Sequence, residues 1–139
     1  MIQFIAEEVE LPDLSKQKII RWIKEIAAVY GKRTGEIAYI FCTNKRILEV
    51  NKQFLQHEYY TDILSFDYSE GIIISGDIFI STETVQSNAE EFKVSFDDEL
   101  KRIIIHGILH LCGQDDKTPE LRLEMISKEN SALQMYSYQ

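Results

Sequence analysis

Residues 95–116, SFDDELKRIIIHGILHLCGQDD, form a helical pattern that is apolar on nearly every side. Ser95, with Asp98 three residues later, resembles a capping box, which indicates that the helix begins there. A helix with so little polar surface is buried on most sides. We therefore predict that it is the central element of the fold. Its apolar positions are Leu100, Ile103, Ile104, Ile105, Ile108, Leu109 and Leu111.

The same helix carries His106 and His110. Residues four apart lie on one helix face with Cβ atoms about 5–6 Å apart, so both imidazoles can bind one metal ion. Gly113 can end the helix and let the chain turn back, so that Asp115 or Asp116 supplies a carboxylate as third ligand. The spacing predicts a metal site on the central helix, and an open fourth position would make that site catalytic.

Two other interpretations of this segment are less favoured. Zinc proteases of the zincin type also use two helical histidines and a ligand beyond a glycine turn, but their general base, the glutamate after the first histidine, is Gly107 here. Two buried histidines without a metal would each need a polar partner. Glycine is also a poor helix former. Gly107 is therefore expected within this helix only if it lets a strand, an ion or a substrate approach closely.

The length and composition indicate one folded domain, residues 1–139. The chain is 45% hydrophobic and 27% charged, and its length is sufficient for one buried core but not for two. We expect no membrane association and a cytoplasmic location, because the sequence has no apolar run of about 18 residues and no secretory signal pattern. Cys42 and Cys112 alone do not make a disulfide framework.

The charge is distributed unevenly. The net charge of −8 disfavours a protein that coats nucleic acid nonspecifically. However, residues 1–60 carry nine Lys and Arg against eight Asp and Glu, whereas residues 61–139 carry six against fifteen. The N-terminal half would therefore accommodate a polyanion better, although each basic residue there can equally belong to a solvated helix face. These basic residues are Lys16, Lys18, Arg21, Lys24, Lys32, Arg33, Lys45, Arg46 and Lys52.

Apolar periodicity predicts the order β, α, β, α, β, β, α, α, α. The two strands before the third helix are separated by a short polar turn and should pair antiparallel. This order predicts an α+β (mixed α/β) fold in which about five helices pack on a small, mostly four-stranded mixed sheet. The segments are a strand from residue 2, a helix to about 30, a strand over 37–42, a helix over 44–55, strands over 61–67 and 71–80, and helices over 82–92, from 95 and over 119–136.

Four segments match one known pattern in order and at near-equal spacing. They are Asn51 with Phe54, residues 61–66 (TDILSF), residues 76–78 (GDI), and residues 106–115, which follow His-Gly-x-Leu-His-Leu-x-Gly-x-Asp. On these residues the chain resembles the YbeY family of metal-dependent endoribonucleases, which take part in the maturation of ribosomal RNA. The resemblance covers most of the chain.

The resemblance implies a metal-dependent endoribonuclease for single-stranded RNA, acting in 16S ribosomal RNA 3′-end processing and ribosome quality control. It implies one Zn²⁺ per chain, or another divalent transition metal, and ribosomal RNA, the ribosome or assembly factors as partners. By alignment with the family, His106, His110 and Asp116 are the metal ligands and Asp115 orients a histidine ligand. The oligomeric state is left open.

The chain departs from the family at two positions. Asp116 occupies the place of the third histidine; a carboxylate can also bind zinc, and it favours harder ions such as Mn²⁺. Leu55 occupies the place of an arginine suited to holding a phosphate. His57 is the nearest substitute, while Thr61 and Asp62 are candidates for the wall of the substrate cleft. The lost arginine favours the alternative function, a noncatalytic ribosome-assembly or RNA-binding module in which the metal is structural.

Overall fold

The computed structural model describes residues 1–55 and 63–138, with the side chains of 54 and 55 left out. His57, Thr61 and Asp62 lie outside the described residues. The elements within them are β1 Ile2–Ala6, α1 Lys16–Val29, β2 Arg33–Cys42, α2 Asn44–Val50, β3 Ile63–Asp67, β4 Ile73–Ser81, α3 Thr82–Phe92, α4 Phe96–Leu111 and α5 Pro119–Ser137, and a π-helical turn, Asn51–Leu55, follows α2. The predicted order of elements is confirmed.

The four strands form one mixed sheet in the order β1-β2-β4-β3. β1, β2 and β4 are parallel, whereas β3 pairs antiparallel with β4. The turn between β3 and β4 contains Gly71 at a φ of +60°, a backbone conformation that glycine adopts without steric cost. The prediction of a small α+β domain with a four-stranded mixed sheet and an antiparallel pair is thus confirmed.

Two segments differ from the predicted bounds by more than two residues. β2 begins at Arg33, four residues before the predicted start, and pairs Arg33 with Ile73 and Thr34 with Ile74. Its first residues are polar, so hydrophobic periodicity alone could not place them in a strand. The helix predicted to run to about residue 55 consists of α2 and the π-helical turn that follows it.

Each face of the sheet packs against its own apolar cluster. Successive side chains of a strand point to opposite faces, and accordingly Ile78 and Ile80 lie in the larger core whereas Phe79 packs on the smaller cluster. The larger core joins the sheet to α1, α4 and α5. The smaller cluster joins α2 to the opposite face through Ile47 and Val50. Every helix in the described part of the chain is too short or too polar to cross a bilayer.

α4 is the central helix, as predicted. It contacts α1, α3, α5, β3 and β4. The hydroxyl of the fully buried Tyr39 in β2 donates a hydrogen bond of 2.8 Å to the carbonyl of Ile104, which ties α4 to the sheet. A Cβ atom on Gly107 would lie 3.0 Å from Cδ1 and 3.1 Å from Cγ2 of Ile78. Of the three partners that Gly107 could admit, the sheet is therefore the one that approaches the helix.

Candidate metal centre

The N-terminus of α4 is capped as the sequence predicts. The Ser95 hydroxyl accepts a hydrogen bond of 3.0 Å from the backbone N–H of Asp98. Asp97, Asp98 and Glu99 occupy the first turn, where the helix dipole favours negative charge. The cap at Ser95 therefore fixes the residue at which α4 begins, at the end opposite the two histidines.

The C-terminus of α4 turns sharply at Gly113, which has a φ of +102°. The N–H of Gly113 donates to the His110 carbonyl and the N–H of Gln114 donates to the Leu109 carbonyl, both at 2.9 Å. These two bonds make a Schellman motif, in which glycine at this position satisfies the last helix carbonyls. The motif reverses the chain immediately after the second histidine, as the sequence predicts for Gly113.

The loop beyond Gly113 is held by hydrogen bonds of its own. The buried Gln114 side chain donates to the Asp115 carbonyl at 2.8 Å. The Asp115 carboxylate accepts from the backbone N–H groups of Asp116 at 2.7 Å and Lys117 at 3.0 Å. In the described contacts Asp115 thus bonds its own loop, and it shapes the turn that carries Asp116.

His106, His110 and Asp116 converge at this end of α4. The Asp116 Oδ2 atom lies 3.4 Å from Nε2 of His106 and 3.5 Å from Nε2 of His110. The two imidazole rings are nearly perpendicular, with centroids 4.5 Å apart. All three side chains are partly exposed, so a ligand can reach them from solvent. The predicted trio is therefore brought together by one helix and the turn after it.

The spacing of these atoms fits a metal ion. One ligand atom from each residue lies within 4.8 Å of the others, so the cluster could hold an ion. Two donors that are each about 2.1 Å from a tetrahedral ion are separated by roughly 3.4 Å. The separations of 3.4 and 3.5 Å match this value, and they exceed the usual length of a direct hydrogen bond, about 2.7–3.2 Å.

The far side of the His110 ring is held by the turn itself. Its Nδ1 atom lies 2.9 Å from the carbonyl oxygen of Gln114. A carbonyl can only accept, so Nδ1 carries the proton and the Nε2 lone pair of the neutral ring faces Asp116. Burial, with His106 as a neighbour, lowers the pKa of His110, although Asp116 acts in the opposite direction. The neutral ring, which is the form that binds metals, is favoured.

The far side of the His106 ring is held by Glu129 of α5, a residue that the sequence analysis missed. The Glu129 Oε2 atom lies 2.5 Å from Nδ1 of His106. Only 5% of Glu129 is exposed. One signal could have revealed it, because Glu129 shares the buried face of α5 with three neighbours at helical spacing, Met125, Ala132 and Tyr136. An acidic residue on such a face needs a partner.

The fold and the site together define an α+β protein with a candidate metal centre made of two helical histidines and one carboxylate. A family model described as Endoribonuclease YbeY matches residues 2–137. The chain belongs to the endoribonuclease YbeY family, which confirms the resemblance recognised in the sequence.

Relatives agree with this assignment, and a solved structure shares the fold. Endoribonuclease YbeY of Phocaeicola vulgatus is 60% identical over 137 residues and covers 99% of both chains. Endoribonuclease YbeY of Bacteroides thetaiotaomicron is 57% identical over 134 residues, which is 96% of this chain and 98% of the relative. The solution structure of TM1509 from Thermotoga maritima superposes with a TM-score of 0.65 at 26% identity, over 99% of this chain and 93% of the other.

Proposed function

We propose that this chain is a metal-dependent endoribonuclease that acts in the maturation of ribosomal RNA. The observation that carries the proposal is the convergence of His106, His110 and Asp116 in a member of the endoribonuclease YbeY family. The finer parts of the proposal are 16S ribosomal RNA 3′-end processing, ribosome quality control, a cytoplasmic location, and the ribosome or assembly factors as partners.

The three residues would hold the ion, and the contacts on the far side of each histidine ring support that role. A divalent ion at this position would act as a Lewis acid on the scissile phosphodiester and lower the pKa of a water molecule beside it. His110 directs its Nε2 lone pair toward Asp116 because the Gln114 carbonyl occupies its Nδ1–H. Asp115 would support the site by fixing the backbone N–H of Asp116.

We propose one Zn²⁺ per chain as the cofactor. Two imidazoles and a carboxylate form a common catalytic zinc set, and the carboxylate also suits Mn²⁺. Structural zinc sites normally have four protein ligands. Within residues 1–55 and 63–138, the cluster contains three. This count supports a catalytic site over the alternative, a noncatalytic RNA-binding module with a structural metal.

The RNA would contact basic residues of the N-terminal half. Lys16, Arg21 and Lys24 are exposed on α1. Arg46, in contrast, lies 3.0 Å from the Glu7 carboxylate, which reduces what it can offer to a phosphate. His57, Thr61 and Asp62 remain proposed substrate contacts. Binding through phosphates predicts an affinity that falls with increasing salt.

The proposal is tested by incubating precursor ribosomal RNA with zinc-loaded protein, with protein stripped by a chelator, and with a His110→Ala variant. We expect internal cleavage by the loaded protein alone, restored to the stripped protein by zinc. Glu120→Gln, an exposed change on α5, is the matched control and should cleave normally. Cleavage by the stripped protein would contradict the metal-dependent function. Metal-loaded protein that binds RNA without cleaving it would favour the noncatalytic alternative.

A further inference from the structure

Building on the metal site proposed above, we propose that Glu129 is a positioning residue that sets the tautomer of His106. Glu129 lies on α5, whereas the candidate ligands lie on α4 and the turn after it. Its Oε2 atom is 2.5 Å from Nδ1 of His106, and Nε2 of the same ring is 3.4 Å from Asp116. The ring is thus held between a supporting carboxylate and the candidate ligand carboxylate.

An ionised carboxylate can only accept hydrogen bonds. Glu129 therefore keeps the proton of the neutral His106 ring on Nδ1 and leaves the Nε2 lone pair facing Asp116. A carboxylate on the nitrogen that does not bind the metal is a common way to orient a histidine ligand and to raise its basicity. Asp115, for which the family resemblance implies the role of orienting a histidine, accepts hydrogen bonds from backbone N–H groups in the contacts described.

Arg102 holds Glu129 in this orientation. The Arg102 Nη1 group donates to Oε1 of Glu129 at 2.8 Å, and its Nη2 group donates to Oδ1 of Asn130 at 2.8 Å. The two Glu129 oxygens are therefore divided between two partners, with Arg102 on one and His106 on the other. The guanidinium also compensates the charge of a carboxylate that is almost completely buried.

The two candidate histidine ligands are thus supported differently. His110 is held by a backbone carbonyl of the turn, which any side chain at residue 114 would provide. His106 depends on a side chain from another helix, 23 residues along the chain. A conservative substitution of Glu129 should therefore impair metal binding by His106 and leave His110 in place.

Because the two Glu129 oxygens have different partners, Glu129→Gln should change the tautomer of His106. A glutamine side chain has one oxygen, and Arg102 can only donate, so that oxygen turns toward Arg102. The amide NH₂ group then faces Nδ1 of His106 and favours the ring with its proton on Nε2, which cannot bind a metal there. An amide that replaces an orienting carboxylate can select the wrong tautomer in this way.

The first experiment measures zinc affinity by competition with a chelating dye. We expect Glu129→Gln and Glu129→Ala each to bind zinc roughly 10- to 100-fold more weakly than the wild type. Glu120→Gln is the matched control and should stay within about twofold. The double variant Arg102→Met with Glu129→Gln frees the amide oxygen for His106 and should recover part of the loss. A purely structural ion pair does not predict that recovery.

The second experiment assigns the tautomer of the neutral His106 ring in metal-free protein by ¹⁵N NMR, which distinguishes a protonated from an unprotonated ring nitrogen. We expect the proton on Nδ1 in the wild type and on Nε2 in Glu129→Gln. This readout needs neither metal nor RNA, so it separates failure of this inference from failure of the proposed nuclease. Wild-type zinc affinity in Glu129→Gln, or an unchanged Nδ1–H tautomer in that variant, would overturn the inference.

Discussion

Oδ2 of Asp116 lies 3.4 Å from Nε2 of His106, across the end of α4. The adjacent Asp115 carboxylate bonds the backbone of its own loop instead. Neighbouring aspartates therefore have separate contacts, and only Asp116 belongs to the cluster that could hold an ion. The Schellman motif at Gly113 accounts for this division, because it fixes which residue of the returning chain reaches the histidines.

The first prediction concerns these two aspartates. Asp116→Asn should lower zinc content from one ion per chain to a small fraction, because a neutral amide is a much poorer ligand for zinc than a carboxylate. Asp115→Asn should retain most of the zinc, because an amide oxygen can still accept from the backbone of its loop. Elemental analysis of dialysed protein measures both variants. Greater loss of zinc from Asp115→Asn would reassign the third ligand.

The second prediction concerns Gly113. Alanine at a φ of +102° is strained, so Gly113→Ala should lower the free energy of unfolding by about 1 kcal/mol or more. The change should also weaken zinc binding, because the next residue is Gln114, whose carbonyl holds the His110 ring. Gly113→Asn is the matched control and should lose less stability, since asparagine tolerates positive φ better than alanine. Urea unfolding measures the free energy of unfolding of both variants. Equal losses of stability would contradict the argument that Gly113→Ala is strained.

The third prediction concerns Gly107. Alanine is the better helix former by about 1 kcal/mol, but its Cβ would press on the fully buried Ile78. Overpacking of a core costs about 1–3 kcal/mol, so we expect a net loss of about 1 kcal/mol for Gly107→Ala.

A double-mutant cycle tests whether the contact with Ile78 causes the loss of stability expected for Gly107→Ala. Ile78→Val removes the Cδ1 atom nearest to the added methyl group and should itself cost about 0.5–1.5 kcal/mol. The double variant with Gly107→Ala should lose less than the sum of the two single changes, because the variants share that contact. A Gly107→Ala variant more stable than the wild type would show that the sheet yields at this position.

Much of the fold could be predicted because its signals are local. The apolar pattern of α4, its cap at Ser95 and the short turn between β3 and β4 are each contained in a few consecutive residues. The start of β2 could not be predicted, because Arg33 and Thr34 are polar. They belong to a strand only because they pair with Ile73 and Ile74, which are distant in sequence.

The candidate site likewise has one part that the sequence could predict and one part that it could not. His106, His110 and Asp116 lie in one helix and the turn after it, so their spacing predicts their proximity. Glu129 approaches His106 only through the packing of α5 on α4, which no local pattern specifies. Its position on the apolar face of α5 is the sole sequence signal for its burial. The metal itself stays a prediction.

The fourth prediction concerns the free thiols. Burial raises the pKa of Cys42 to about 12 and that of Cys112 to about 11. At mildly alkaline pH the folded protein should react with iodoacetamide roughly a hundred-fold or more slowly than the urea-unfolded protein, because the thiolate is the reactive form. Rapid modification of both thiols in the folded protein would contradict this.

The same pKa values predict how stability depends on pH. Both thiols are held protonated by the fold, so their contribution is fully present below the unfolded pKa near 8.5 and is lost as the pH rises toward about 11–12. The double variant Cys42→Ala with Cys112→Ala is the control, since other groups also titrate there. Urea unfolding across this range should show a smaller alkaline loss in the variant than in the wild type.

The most direct test of the candidate centre is a crystal structure of the zinc-loaded protein with anomalous data at the zinc absorption edge. We predict one ion per chain, about 2.0–2.2 Å from Nε2 of His106, Nε2 of His110 and a carboxylate oxygen of Asp116, with the remaining position open to solvent. An ion bound elsewhere, or a fourth protein ligand that closes the site, would contradict the proposed catalytic centre.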